Sequence, residues 1–184
     1  MSKRFEPSKA KSLASSSAIK AAKHPKKTRA SAVAGQNPND EVVSVSKIKL
    51  SDKGSVRHAV FLNPERKDHI KRRMDGGYMK NETAADWMLS KQGAGDVFLE
   101  LKGGDVMHAI EQVCATAEFA IANDLVSGSL AALILCTEHP GFNTKMQRMM
   151  QAFATRYKGP VHTRNRGGEF VFEHVLSFNG PERL

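Results

Sequence analysis

The stretch TAADWMLSKQGAGDVFLELKGGD, residues 83–105, decides how this chain folds. Its two outer parts, residues 83–90 and 96–103, are rich in apolar residues, and the link between them, KQGAG (91–95), contains two glycines. Two short strands joined by a glycine-containing loop are typical of an antiparallel β-hairpin. We therefore place a hairpin at the centre of the fold.

In the second strand of this hairpin the apolar run that begins at Val97 is interrupted by two charged residues, Glu100 and Lys102. Charged groups are rarely buried without a partner, because their removal from water is costly. Side chains alternate along a strand, so this pair shares one face with Phe98. The opposite face is predicted to point into a core and carries Val97, Leu99 and Leu101. On the first strand Asp86 shares a face with Met88, and antiparallel pairing can bring it beside Glu100.

Two helices and a further strand are predicted after the hairpin. The glycines at 103 and 104 end the strand, and Asp105 can cap a helix that runs to about Asn123. The buried stripe of this helix is predicted to contain Val106, Ile110, Val113 and Ala117. The apolar run 129–140 is of strand length, and residues 143–159 form the second predicted helix. Its Met146, Met149, Met150 and Phe153 are expected to lie in the core.

The remaining strands are predicted on either side of this region. Before the hairpin they cover 42–50, 55–63 and 69–76, the last leading into a turn at Asp75-Gly76-Gly77. The end of the chain, residues 161–177, is expected to form two strands across its Gly-Gly pair. The order of strands, hairpin, helix, strand, helix and strands predicts an α/β fold, with a mixed sheet and helices packed on it.

Most of the chain's net charge of +9 lies in the first 40 residues, which contain nine Lys or Arg against Glu6 and Asp40. This segment has few large apolar residues, so we expect residues 1–40 to be a disordered basic tail and residues 41–184 to form the folded domain. The tail could attract polyanions or simply aid solubility. A transit peptide is disfavoured by Glu6 and Pro7.

Composition also restricts the cellular setting. The sequence has no apolar run near 18 residues and no N-terminal apolar segment, which argues against secretion and a membrane span. Cys114 and Cys136 lie in apolar surroundings without metal-ligand spacing, which indicates buried free thiols in a reducing compartment. We therefore expect a cytoplasmic protein without a membrane partner.

Two carboxylates held close together repel each other and favour a cation. Asp86 and Glu100 suit a hard divalent ion such as Mg²⁺ or Mn²⁺, with the main-chain carbonyl of Leu101 as a third ligand. Such an ion polarises a phosphoryl oxygen and lowers the pKa of bound water. Lys102 would then orient the attacking water or stabilise developing charge.

Asp86, thirteen intervening residues and then Glu100-Leu101-Lys102 resemble the signature of the PD-(D/E)XK nuclease superfamily. The similarity covers about residues 55–175 and includes the order hairpin, helix, strand, helix. It implies a restriction-endonuclease-like mixed β-sheet flanked by helices, with Asp86 and Glu100 as metal ligands and Lys102 as the catalytic lysine. Ala85 stands where the family name has proline.

The resemblance also implies supporting residues. Several members of the superfamily carry Gln or Glu on the helix after the signature, where this chain has Glu111 and Gln112. Gln112 could contact a phosphate or hydrogen-bond a neighbouring loop, and the sequence does not decide between them. The further acid that many members supply has three candidates here, of which Asp75 is preferred because it precedes a turn close to the hairpin. The other two are Glu65 and Asp68.

Arg72, Arg73, Arg164 and Arg166 are the candidate nucleic-acid contacts, although basic clusters are usually solvated faces. The sequence favours a metal-dependent nuclease acting on phosphodiester bonds in DNA, a preference over RNA that comes from the resemblance alone. The alternative is a catalytically inactive nuclease-fold protein that binds nucleic acid or a partner. Since no separate recognition domain is visible, a homodimer or larger complex could supply specificity.

Overall fold

A computed structural model describes residues 37–52, 57–101, 104–137 and 144–181 of the 184-residue chain. Within these ranges it contains nine strands and three helices. The strands are β1 Asp40–Val43, β2 Lys47–Ser51, β3 His58–Leu62, β4 His69–Arg73, β5 Trp87–Lys91, β6 Gly95–Leu101, β7 Ser129–Leu135, β8 Val161–Arg164 and β9 Gly168–Val171. The helices are α1 Val106–Ala122, α2 Thr144–Tyr157 and α3 Phe172–Leu176. The predicted α/β class with mixed sheet pairing is confirmed.

The larger sheet has six strands in the order β1-β4-β5-β6-β7-β8. Strands β1, β4, β5 and β6 pair antiparallel, whereas β6, β7 and β8 pair parallel. Strand β6 lies between the antiparallel and parallel parts, and all seven of its residues are buried. This double-sided burial matches the presence of apolar residues on both faces of the strand, Leu99 on one and Phe98 on the other.

Each face of this sheet packs against its own layer. On one face α1 and α2 enclose a core that includes Phe98, Ile110 and Phe153. On the other face lie α3 and the second sheet, a mixed sheet of three strands in the order β2-β3-β9. Phe61 of β3 and Phe172 of α3 pack there with Leu99 of β6. Alternate residues of β6 therefore enter different cores, as its alternating pattern predicts.

The predicted hairpin and the helix that follows it are confirmed. Strands β5 and β6 pair antiparallel around a turn at residues 92–94. Asp105 caps α1 by accepting a hydrogen bond from the His108 N–H at 3.0 Å. All four residues of the expected α1 stripe are buried, and of the four expected α2 core residues Met146 and Phe153 are buried and the other two pack against them. Both cysteines are free thiols, Cys136 buried and Cys114 half-buried.

Two other predictions are wrong in detail. Residues 42–50 do not form one strand, because the chain leaves β1 at Val43 and enters β2 at Lys47 in the other sheet. Residues 161–177 do form two strands, but these lie in different sheets and are followed by the unexpected helix α3. In both places the chain crosses between sheets, which an alternating pattern does not reveal.

The first described strand begins at Asp40, the last residue of the segment expected to be disordered. The Asp40 carboxylate accepts hydrogen bonds from Arg72 Nε at 3.0 Å and from the Tyr78 hydroxyl at 2.5 Å. The side chains of Asp40 and Arg72 are only 7% and 6% exposed, so they form a buried ion pair that anchors β1 to β4. The prediction for residues 1–36 lies outside the described residues.

None of the helices within the described ranges is long and apolar enough to span a lipid bilayer.

Candidate active site

The hairpin register places Asp86 and Glu100 opposite each other. Trp87 pairs with Leu99, and because the strands are antiparallel, Asp86 before Trp87 faces Glu100 after Leu99. The Asp86 N–H donates to Glu100 Oε2 at 3.2 Å, and the Leu101 N–H donates to Asp86 Oδ2 at 2.7 Å. Each carboxylate is thus held by the backbone of the opposite chain segment. The structure brings together the two acids that the sequence pattern paired.

Asp86 itself precedes β5 rather than lying within the strand expected over residues 83–90. Helix α1 fixes the segment before it through two hydrogen bonds. The Ala85 N–H donates to Thr116 Oγ1 at 2.7 Å, and Gln112 Nε2 donates to the Ala84 carbonyl at 2.8 Å. Of the two roles considered for Gln112, the structure therefore shows the contact with a neighbouring loop. Asp86 is positioned by helix packing as well as by the sheet.

Burial and two nearby acids disfavour the ionised form of Asp86. Glu100 is 3% exposed and Asp86 is half-buried. Burial raises the pKa of Asp86 above its ordinary value, and the charges of Asp52 and Asp75 raise this pKa further. The Leu101 N–H and Arg73 act in the opposite direction without cancelling the rise. A cation would relieve this unfavourable charge.

Asp75, the preferred supporting acid, lies next to this pair. Its N–H donates to the Ala85 carbonyl at 3.0 Å, which extends the β4–β5 pairing past Arg73 towards Asp86. Arg73 Nε in turn donates to the Asp75 carbonyl at 3.0 Å. Asp75 thus reaches the site through a backbone extension of β4.

Asp52, which follows β2, is an acid of this site that sequence reasoning missed. Arg73 Nη2 donates to Asp52 Oδ1 at 3.1 Å, although β2 and β4 belong to different sheets. A single aspartate in the polar stretch LSDKGS carries no local signal for this position. Only the packing of the second sheet on the first brings Asp52 to the pair.

The carboxylates of Asp86 and Glu100 are oxygen donors of the kind that a magnesium-type ion prefers. No group of three or more His, Cys, Asp or Glu side chains within the described ranges is arranged to hold a metal. The site offers instead the two carboxylates of Asp86 and Glu100. Mg²⁺ is usually bound by one or two carboxylates and completes its coordination with water and substrate phosphate. The predicted Leu101 carbonyl ligand stays a prediction.

Lys102, the expected catalytic lysine, lies outside the described residues. The catalytic role expected of it stays a prediction.

The four arginines predicted to contact nucleic acid fall in different environments. Arg72 is buried, and besides Asp40 its guanidinium bonds the Ser90 hydroxyl at 2.7 Å, which does not favour a phosphate contact. Arg73 is exposed beside the acids. Half-buried Arg164 donates to the carbonyls of Thr163 and Pro181, so part of its guanidinium is engaged by the backbone. Exposed Arg166 lines a surface cleft.

Comparison with known proteins identifies no relative, since no protein-family model, no curated protein and no solved structure matches this chain.

Proposed function

We propose that this chain is a Mg²⁺- or Mn²⁺-dependent deoxyribonuclease with a restriction-endonuclease-like core of the PD-(D/E)XK type. The observation that carries this proposal is that the Glu100 carboxylate accepts a hydrogen bond from the Asp86 N–H and the Asp86 carboxylate accepts one from the Leu101 N–H, at one end of the hairpin. Burial, and after it the charges of Asp52 and Asp75, raise the pKa of Asp86, so the ionised form of this carboxylate is disfavoured in the free protein. Perturbed carboxylates of this kind are characteristic of functional sites.

Asp86 and Glu100 are the residues that would hold the ion, together with the Leu101 carbonyl. When bound, a divalent ion polarises a phosphoryl oxygen and supplies a water of lowered pKa. The Leu101 N–H fixes one oxygen of Asp86, which keeps this carboxylate from rotating away from Glu100. Lys102 is proposed to orient the attacking water and to stabilise charge that develops on the phosphate.

A cleavage assay tests this proposal on labelled single-stranded, duplex and branched DNA, with Mg²⁺, Mn²⁺ or EDTA. We expect metal-dependent products from the wild type and a loss of at least about 100-fold for Glu100→Gln and Lys102→Ala, since one preorganised electrostatic group contributes about that much. Lys67→Ala is the matched control, because Lys67 is exposed and lies before the first residue of β4, whereas the acids lie at the other end of this strand.

Equal cleavage by wild type and Lys102→Ala would show that catalysis does not use this site. If the folded wild type gives no metal-dependent product on any substrate but binds DNA in a salt-sensitive way, the inactive nucleic-acid-binding alternative replaces the nuclease.

A further inference from the structure

A surface cleft lies at the carboxyl ends of β7 and β8, next to the beginnings of β3 and β9. Its lining includes Arg57, His58, Thr137, Asn165, Arg166 and Gly168. The sequence pattern did not predict that these residues lie together, because they come from three separate chain segments that belong to the two different sheets. The cleft is thus a product of tertiary packing.

The cleft is cationic. It carries two arginines and a histidine, and none of its lining residues that the structure describes is acidic. Arg166 is exposed, and Arg57 is half-buried. Burial raises the pKa of the Cys136 thiol at the cleft wall, and the charge of Arg57, which lines the same cleft, lowers this pKa. Such a concentration of positive charge favours an anionic ligand.

Glycines give the cleft an open backbone. A Cβ atom on Gly167 would lie 2.2 Å from the His58 carbonyl oxygen, so the absence of a side chain allows the β8–β9 turn to pack against β3. A Cβ atom on Gly168 would meet no atom within 4 Å, so this backbone faces open space. A ligand can therefore approach the main chain closely here.

The cleft and the acid pair lie at the same end of the strands of the large sheet. Leu101 of β6 pairs with Leu135 of β7, which pairs with Arg164 of β8. The residues that follow these strands, Thr137 and Asn165 among them, therefore emerge beside the end of β6. Adjacent strands are about 4.8 Å apart, so the cleft lies about 5–10 Å across the sheet from the end of β6.

We infer that this cleft binds the phosphodiester backbone of the nucleic acid beside the bond to be cleaved. This inference rests on the proposed nuclease function. Guanidinium groups match phosphate oxygens in a two-pronged geometry, and contacts of this kind fix the register of a nucleic acid without reading its sequence. Arg57 and Arg166 are the principal anchors, with the Thr137 hydroxyl and Asn165 amide as neutral donors.

The test measures how binding of a fluorescein-labelled 30-base-pair duplex depends on KCl concentration, by anisotropy in EDTA with the full chain. The variants are Arg57→Gln/Arg166→Gln and the single Arg166→Gln, whose exposed position is the less disruptive of the two. The control Arg66→Gln/Lys67→Gln removes the same amount of positive charge from the exposed loop that precedes β4. Thermal melting by circular dichroism checks that each variant is folded.

We expect the slope of log affinity against log salt to fall by about 2 in the double variant and by about 1 in the single variant, since each phosphate contact contributes about 0.9. The control should keep the wild-type slope. An unchanged slope in a folded Arg166→Gln or double variant, or an equal fall in the control, overturns the inference.

The same proteins assayed for cleavage in Mg²⁺ separate this inference from the proposal on which it rests. If the wild type cleaves DNA but its salt slope equals that of the double variant, the nuclease proposal is supported and the proposal that the cleft binds the backbone is wrong. If the slopes differ as expected but no metal-dependent product forms, the cleft is a nucleic-acid-binding site and the nuclease proposal is wrong.

Discussion

Substitution of Asp86 by asparagine separates a functional carboxylate from a structural one. Asparagine keeps the shape and an oxygen that can accept the Leu101 N–H bond, now 2.7 Å long, but removes the charge. A hydrogen bond to a charged group contributes about 1.5–3 kcal/mol and one between neutral groups about 0.5–1.5 kcal/mol, so the weaker bond costs about 1 kcal/mol. Against this, the variant loses a charge that burial, Asp52 and Asp75 all disfavour.

The raised pKa of Asp86 shows that the unfavourable surroundings outweigh the Leu101 bond. We therefore expect Asp86→Asn to be at least as stable as the wild type in EDTA at pH 7. Asp86→Ala should instead be destabilised by about 1–3 kcal/mol, because it leaves the Leu101 N–H without this acceptor. Urea denaturation followed by circular dichroism measures both differences.

The same variants should respond differently to metal. At a Mg²⁺ concentration ten times the dissociation constant, the wild type should gain about 1.4 kcal/mol of unfolding free energy. Asp86→Asn should lose most of this gain and at least about 100-fold in cleavage rate. If Asp86→Asn loses more than about 2 kcal/mol of unfolding free energy in EDTA yet keeps the metal response and cleavage, Asp86 does not bind the metal and acts as a structural acid.

Three further predictions concern stability. Asp40→Ala leaves the buried charge of Arg72 without its carboxylate and should cost about 3–5 kcal/mol in urea denaturation, whereas Ala at the neighbouring exposed Glu41 should cost less than about 1 kcal/mol. Equal losses of unfolding free energy in the two variants would show that the buried ion pair stabilises the protein no more than the exposed one. Because the pKa of Asp86 is raised on folding, ionisation of this group lowers stability as pH rises from about 3.9 through the folded-state pKa. The stability of Asp86→Asn relative to wild type, measured without metal, should therefore increase over that range, and a constant difference would contradict the assignment. Gln112→Leu removes the side-chain bond to the loop before β5 and should cost about 1–3 kcal/mol, with a smaller metal-induced rise in melting temperature. A metal response equal to that of the wild type would show that this bond does not position Asp86.

The local elements around the site could be predicted from patterns in the sequence. Alternation in β6 separated Glu100 from Leu99 and Leu101, and the Gly-Gly-Asp that follows predicted the start of α1 at the correct residue. The glycine-containing loop likewise predicted the antiparallel hairpin that β5 and β6 form. These features depend on neighbours in the chain or on one short turn, so a local pattern is enough to specify them.

Tertiary structure decided what surrounds the acid pair. Asp52 reaches Arg73 from another sheet, and Arg57 and Arg166 meet across a cleft although more than a hundred residues separate them in the chain. The polar face of a strand looks the same in sequence whether it is solvated or buried. For this reason Arg72, read as a surface cation, proved to be the partner of Asp40 inside the protein. Burial and long-range charge pairing are set by how the layers pack, and no spacing along the chain records them.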